Sequence, residues 1–382
     1  MQAFDIHICL ISGQPTPNLV PALSPDTRPK QVIMLVSAEM KEQAEYLKNV
    51  LRKYGVMTHE EMVPNAYDIG AIHKQVEEMI KKLTQKKDTP SIALNLTGGT
   101  KPMAIAAQTA CFYNDIPYFY IRPDTNEVQL YTPVDGNMQT CKISSKLKLN
   151  DYLETHGFRL EQKLVSGIHI LNDRVSDLQK SLVLNAHRFS EAIGIMNRLA
   201  NEAERQKTLN IRIVEQDRTP DFDKLLDDFQ AAGILSVSGD TLRFTSEGAR
   251  FFANGGWLED YVFDIVQKLP LQDCQKNCEV YRQSRFASKN EIDVAFMAKD
   301  RLYLIECKTR NFTRDEKIGQ DTLYKLDSLL PDLGGLNARG MLVSYRQLDD
   351  ATRKRANDNR IKVVEASQLQ GLKNQISTWI SQ

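Results

Sequence analysis

At 382 residues the chain is long enough for two or three domains, each with its own core. A hydrophobic share of 42% and a charged share of 26% are those of a globular protein and exclude a disordered or fibrous chain. Forty-nine basic residues balance 49 acidic ones, so no global field draws the chain to nucleic acid, and any such site must be a local patch. The six cysteines are scattered, with Cys274 and Cys278 the only close pair. They read as reduced thiols of a cytoplasmic protein rather than a zinc set. The start carries no basic segment followed by a long apolar one, and apolar runs such as Val32 to Val36 are far too short to span a bilayer, so no membrane partner is expected.

From residue 4 to about 145, apolar runs alternate with helical patterns. Strands are expected over Phe4–Ile11, Val32–Val36, Ile92–Leu96, Ile116–Ile121 and Val128–Thr132, and helices over Ala38–Tyr54, Ala66–Leu83 and Pro102–Asn114. This alternation argues for a mostly parallel, doubly wound α/β sheet, whose ligands bind outside the carboxyl ends of the strands. Two loops fall there. One is polar and turn-rich and runs from Ser12 through Gln14 to Asn18. The other is Asn95-Leu96-Thr97-Gly98-Gly99-Thr100-Lys101-Pro102-Met103, between a buried strand and an alanine-rich helix. Glycines admit a close backbone approach, threonine hydroxyls and helix N-terminal amides take an anion, and Lys101 adds positive charge. The spacing is not that of a Walker A loop, so ATP hydrolysis is not indicated.

That nine-residue string resembles the signature of CARF domains, the CRISPR-associated Rossmann-like sensors of cyclic oligoadenylates. The resemblance implies a homodimer with one symmetric cyclic ligand across its two-fold axis. Ser12, Gln14 and Asn18 of the first loop would then meet the ligand with Thr97, Gly98, Gly99, Thr100, Lys101 and Met103 of the second.

Residues 146–250 read as a connector, set between a sensor over 1–145 and a third domain over 251–382. Lys146–Phe158 is expected to hold a short helix, Ser181–Gln206 a longer one and Asp221–Ala232 another. Two alternating runs around Ser238-Gly239-Asp240-Thr241 make a hairpin, and Ser246 is placed to start the next helix. Helix followed by hairpin resembles a winged-helix unit. With only Arg243 and Arg250 near the wing, a connector transmitting sensor state is favoured over DNA readout.

Glu291 to Lys308 carries the chemistry. The apolar runs Ile292–Ala298 and Leu302–Ile305 flank Lys299-Asp300-Arg301, the pattern of a β-hairpin. Side chains alternate along a strand, so Glu291 and Asp293 share a face, as do Glu306 and Lys308. If the strands pair, three carboxylates and an ammonium converge at one end, an arrangement a hard divalent cation would compensate. The alternative is a solvent-facing hairpin with a cross-strand ion pair. Arg282, Arg285 and Lys289 before the hairpin, with Lys308, Arg310 and Arg314 after it, are candidates to line a cleft for phosphates, and Tyr281, Phe286 and Phe312 could stack bases.

Upstream, Gly255–Val266 has the apolar stripe of an amphipathic helix, with Glu259 off the stripe near its start; downstream, Gln320 and Tyr324 share one helical face. Helix, hairpin with Asp and Glu-x-Lys, then helix resembles the restriction-endonuclease-like PD-(D/E)XK core, and Gln-x-x-x-Tyr resembles the extra motif of its RecB-type branch. No proline precedes Asp293, a loosely kept position. The resemblance implies catalysis by Asp293, Glu306, Lys308 and Glu259, with Glu291 and Gln320 beside them. Asp293, Glu306, the Cys307 carbonyl and Glu259 would hold magnesium or manganese. The joint order resembles single-chain CARF nucleases of type III CRISPR defence. These are activated by a cyclic oligoadenylate, tetra-adenylate being the first ring size to test, and cleave single-stranded DNA or RNA. The alternative is a CARF-type DNA-binding transcription regulator with an inert nuclease-like domain.

Overall fold

The computed structural model describes residues 3–85, 88–122, 125, 127–143, 145–162, 173–283, 289–309, 316–335 and 338–382, with only the backbone described for 316–321. The N-terminal third folds as β1 (Ile6–Leu10), α1 (Thr16–Leu23), β2 (Gln31–Ser37), α2 (Lys41–Lys53), β3 (Met57–Val63) and α3 (Ile69–Thr84). It continues as β4 (Ile92–Asn95), α4 (Lys101–Tyr113), β5 (Tyr118–Arg122), β6 (Glu127–Thr132) and β7 (Asn137–Lys142). These strands form one seven-stranded sheet in the order β3-β2-β1-β4-β5-β6-β7. It is parallel from β3 through β5 and antiparallel from β5 to β7.

The expected α/β architecture is present, with three elements beyond expectation. The strand β3 is an edge strand bearing Glu60 and Glu61 and has no apolar run; β7 is almost wholly exposed. The helix α1 occupies what read as loop from Thr16 onward. Its start follows from Pro15 and Pro17, since proline suits the first helical turn, where an N–H would go unpaired anyway.

The middle holds α5 (Leu149–Thr155), β8 (Phe158–Gln162), α6 (Asp173–Leu184), α7 (Ala186–Arg205), β9 (Asn210–Arg212), α8 (Pro220–Ala231), β10 (Leu235–Ser238), β11 (Thr241–Phe244) and α9 (Glu247–Phe251). The single helix expected over Ser181–Gln206 is two, broken at Asn185. Helices α7 and α8 with the β10-β11-β9 sheet give the winged-helix-like unit, and Ser246 caps α9 by accepting from the Ala249 amide at 3.0 Å.

The last third runs α10 (Trp257–Val266), β12 (Asp273–Arg282), β13 (Asn290–Ala298), β14 (Arg301–Lys308), α11 (Glu316–Gly334), β15 (Arg339–Ser344), α12 (Asp350–Asp358), β16 (Lys362–Glu365) and α13 (Leu372–Ser381). Its six-stranded sheet has the order β16-β15-β14-β13-β12-β8. The edge strand β8 comes from the stretch read as connector and pairs antiparallel with β12, which carried no clear strand pattern.

Alternation along β13 and β14 decides what covers each face of this sheet. Val294, Phe296, Tyr303 and Ile305 enter a core shared with α7, α8 and α10. Ala295, Met297, Leu302 and Leu304 enter another, shared with α11, with Tyr152 of α5 and with Leu47 and Phe119 of the N-terminal third. The nuclease-like sheet is therefore sandwiched between connector and sensor. Each fully buried leucine here contributes on the order of 2 kcal/mol.

The β13–β14 hairpin turns on two residues, Lys299 and Asp300, both in the left-handed region at φ 51° and 58°. That is the geometry of a tight type I′ hairpin, usually supplied by Asn-Gly. Here the Asp300 carboxylate is buried and accepts from Gln272 Nε2 at 2.6 Å and from the Ser145 hydroxyl, while its own amide donates to Gln272 Oε1 at 2.8 Å. Tertiary hydrogen bonds replace the glycine.

Candidate nuclease centre and ligand loops

Ladder pairing of β13 with β14 runs from Ala298 opposite Arg301 to Val294 opposite Ile305. Asp293 and Glu306 follow directly on their strands, so their carboxylates emerge side by side where the ladder ends. Both are buried, Glu306 at 1% exposure. Asp293 Oδ2 accepts from the Cys307 amide at 2.7 Å and from Lys308 Nζ at 3.4 Å. Lys308 Nζ also donates to Glu306 Oε2 at 3.2 Å. Asp293, Glu306 and Lys308 thus converge on one face, as the strand period requires.

Glu259 stands half-buried in the first turn of α10. Ahead of it, Phe252–Gly256 forms a π-helical turn kinked at Gly255, whose φ of 111° suits glycine alone; a Cβ there would meet Thr309 Oγ1 at 2.5 Å. Burial, then the Asp293 charge, pushes the Glu259 carboxyl well above the usual range against the opposing pull of Lys308. Burial and Asp293 likewise raise Glu306, opposed by Lys308 and Lys325. Burial by itself would depress Lys308, but Asp293, Glu306 and Glu259 outweigh it and hold the ammonium firmly charged. Glu291 lies exposed at the lip, and its charge bears on Glu259.

At the other motif, a Cβ on Gly98 would stand 2.1 Å from the Leu10 carbonyl oxygen, and Gly99 has φ 73°, so this turn needs both glycines. Thr97 Oγ1 donates to Asn95 Oδ1 at 2.8 Å and accepts from the Ile121 amide at 2.9 Å. Asn95 Nδ2 donates to Asn18 Oδ1 at 3.0 Å, and Asn18 Nδ2 to the Leu10 carbonyl at 3.0 Å. Thr100 caps α4 and donates to the Ala66 carbonyl at 2.7 Å, and Met103 is buried. Asn18 thus ties the first loop to the second, while Thr97 and Thr100 spend their side chains fixing the second loop to Ile121, Ala66 and the start of α4. Ser12, Gln14 and the exposed Lys101 stand at the surface of the two loops.

Residues 6–152 match the Card1 CARF domain family, and residues 246–382 match the Card1-like endonuclease domain family. The chain thus joins a Card1 CARF domain to a Card1-like endonuclease domain. Among solved structures, protein VC1899 from Vibrio cholerae is 29% identical, with a TM-score of 0.90 over 99% of this chain and 98% of that one. Can2 from Sulfobacillus thermosulfidooxidans, solved in complex with cyclic tetra-adenylate, is 27% identical, with a TM-score of 0.80 over 99% of this chain and 98% of that one. A type III CRISPR defence DNA nuclease activated by cyclic oligoadenylate is 16% identical, with a TM-score of 0.53 over 91% of this chain and 46% of that one, a likeness of fold. A search of the curated proteins gives no match.

The second half of the chain is thus an endonuclease domain, and its centre can be tested for a cation. Among the described residues, no group of three or more His, Cys, Asp and Glu side chains closes into a metal cage. Magnesium and manganese do not need one, because they keep several waters and bind through one or two carboxylates plus substrate phosphate. Asp293, Glu306 and the Cys307 carbonyl fit that requirement, with Glu259 nearby.

Sequence reasoning missed Lys325. Its Nζ stands 2.6 Å from Glu306 Oε1, reaching across from α11. The only linear signal was its place directly after Tyr324. Tyr324 itself is 57% exposed, under the Arg355 guanidinium at 5.2 Å, and does not join the cluster. The Gln320 side chain lies outside the described residues, as do Arg285, Phe286, Arg310, Phe312 and Arg314. Arg282 pairs with Asp332 at 3.1 Å, and Lys289 with Glu279 at 2.7 Å and Glu161 at 3.3 Å. Any phosphate they meet must compete with those carboxylates.

In the connector, Arg250 is tied to Glu204 at 3.1 Å and Glu247 at 2.7 Å, which removes it from DNA contact, whereas Arg212 and Arg218, not counted from the linear sequence, reach the wing turn at Asp240 and Gly239. Asn197 Nδ2 donates to Thr309 Oγ1 at 2.9 Å, joining α7 to the residue after Lys308. A groove of about 520 Å³ between α6 and α8, lined by Arg174, Asp177 and Asp228 among others, contains no residue of either motif. No helix among the described residues is long and apolar enough to cross a membrane.

Proposed function

We propose that this CARF endonuclease is switched on by a cyclic oligoadenylate and hydrolyses single-stranded nucleic acid at the Asp293, Glu306 and Lys308 cluster, using magnesium or manganese. The observation that carries the reading is the pairing of two buried carboxylates at the end of the β13–β14 ladder with an ammonium bridging them. A surface ion pair would not be buried to this extent or share one lysine between two acids.

Asp293, Glu306 and the Cys307 carbonyl would hold the cation, and Glu259 would stand by for a second ion or a water. When bound, the cation supplies charge neutralisation at the scissile phosphate and easier ionisation of a nearby water. Lys308 keeps its proton, so its role is to orient the attacking water and offset charge on the phosphate. The Asp293 carboxylate, fixed by the Cys307 amide, holds the cluster in place before substrate arrives.

The activator reading is supported by the match to the CARF family and by the ligand bound to Can2. In this chain the Gly98-Gly99 turn, the first amides of α4, Lys101, Ser12 and Gln14 would take the phosphates and bases. Asn18, Thr97, Thr100 and Met103 would shape the surface. Two copies would offer the same loops to one symmetric ring, which makes the active form a homodimer.

The test is cleavage of labelled single-stranded DNA and RNA by purified protein with manganese, with and without cyclic tetra-adenylate. Activator-dependent cleavage that is lost in Glu306→Ala supports the reading. A sequence-specific duplex shift without cleavage would replace it with a regulator.

A further inference from the structure

Helix α11 touches both functional regions. In its middle, Lys325 Nζ lies 2.6 Å from Glu306 Oε1 while Lys308 Nζ lies 3.2 Å from Oε2, so ammonium groups hold both oxygens of this buried carboxylate. The two lysines differ in what holds them. Lys308 shares β14 with Glu306, so its backbone stays beside that carboxylate, whereas Lys325 belongs to a separate helix that can shift relative to it. A cation at Glu306 would have to meet or displace the positive charge on Oε1, since like charges a few ångströms apart repel strongly where solvent is excluded.

At the far end of the same helix, Tyr152 Oη donates to the Gly334 carbonyl at 3.3 Å. The Gln14 side chain lies over Gly335, where an added Cβ would be 2.1 Å from Gln14 Nε2. Gln14 sits in the first ligand loop. From Lys325 to Gly334 the helix spans about 14 Å. Leu323, Leu326, Leu329 and Leu333 are buried along it in a core that joins Ala295, Met297, Leu302 and Leu304 of the nuclease-like sheet to Leu47 and Phe119 of the sensor, so the helix lies in the layer between the two.

We infer that Lys325 is a latch on Glu306 in the activator-free protein, and that occupation of the Gln14 loop, carried along α11, draws the lysine off and opens Glu306 to the divalent cation. This rests on the metal-dependent, activator-switched reading above. Because coupling between two binding sites is reciprocal, the activator must then tighten cation binding even with no nucleic acid present.

The test is calorimetric titration of the full chain with manganese, without nucleic acid, in the presence and absence of cyclic tetra-adenylate. In the wild type, the activator is expected to tighten manganese binding about tenfold. Lys325→Met should bind manganese about tenfold tighter without activator and gain under about twofold from it, whereas Lys325→Arg, which keeps the charge, should retain the wild-type response. Lys325→Gln replaces Lys325→Met should the latter not fold. A lysine with a merely structural or directly catalytic role would not tighten cation binding on removal. Manganese affinity that is unchanged or weaker in Lys325→Met overturns the latch. A Glu306→Gln control separates the two layers. If it loses manganese while Lys325→Met behaves as wild type, only the latch falls; if it binds manganese as wild type does, the metal site falls with it.

Discussion

The proposed nuclease centre and the proposed ligand loop carry their information in different chemistry. In the centre, meaning lies in side-chain charge: Asp293, Glu306 and Lys308 are brought together by strand pairing, and the buried acids need the lysines beside them. In the sensor loop, meaning lies in backbone shape. Gly98 and Gly99 pass within reach of Leu10, and Asn18, Thr97 and Thr100 use their polar groups internally to hold that course. The lesson is that conservative changes of charge should ruin the first region, and added atoms the second.

The largest effect that would break this contrast is at the centre. Glu306→Ala and Lys308→Ala should each lower activator-dependent cleavage by about a thousandfold or more, read as single-turnover rates at saturating cyclic tetra-adenylate, with the activator still bound and its affinity shifted by no more than the about tenfold coupling to the cation. Retained cleavage in either variant would remove the site assignment.

Next is Gly98→Ala, which adds a single methyl group. Because that carbon would collide with backbone rather than a movable side chain, activator affinity should fall about a hundredfold. Manganese titration without activator should stay as in the wild type. Lys101→Ala should cost less, about tenfold in affinity, with the loss shrinking as salt rises, because Lys101 is an exposed point charge. If Lys101→Ala proves costlier than Gly98→Ala, the sensor loop works by charge after all, and the contrast fails.

Smaller still are the pH effects on stability. Burial holds His7 and His156 down to about 4 in the folded protein, so they stay neutral where the unfolded chain takes up protons. Stability should therefore fall as pH drops from about 6.5 toward 4, by up to about 3 kcal/mol for each histidine. His7→Leu should flatten that slope in thermal denaturation. Glu259 has the opposite sign. Its raised carboxyl makes the folded state hold the proton more tightly, so stability falls as pH rises from the ordinary glutamate range. Glu259→Gln should raise the melting temperature by a few degrees at pH 8, with the gain vanishing near pH 4.5.

Much of this was readable along the chain because it rests on local periodicity. The inner parallel strands β1, β2 and β4 of the sensor are apolar runs, the winged hairpin turns at Gly239-Asp240, and Glu-x-Lys on a strand puts both groups on one face whatever the rest of the molecule does. Elements that failed to announce themselves lack such a signal. The edge strand β3 is rich in charge, β7 is exposed, and β8 gains its identity only by pairing with β12 across more than a hundred residues.

Which residues carry charge and chemistry, and on which face of a strand or helix each falls, could be read along the chain, because those depend on residue type and spacing. Tertiary structure alone decided who meets whom. Lys325 reaches Glu306 from another element, Gln14 rests on the end of that same helix, and Asp300 holds its turn through Ser145 and Gln272. Contacts of that range depend on how sheets and helices stack, and stacking is set by the whole set of buried side chains at once rather than by any one stretch.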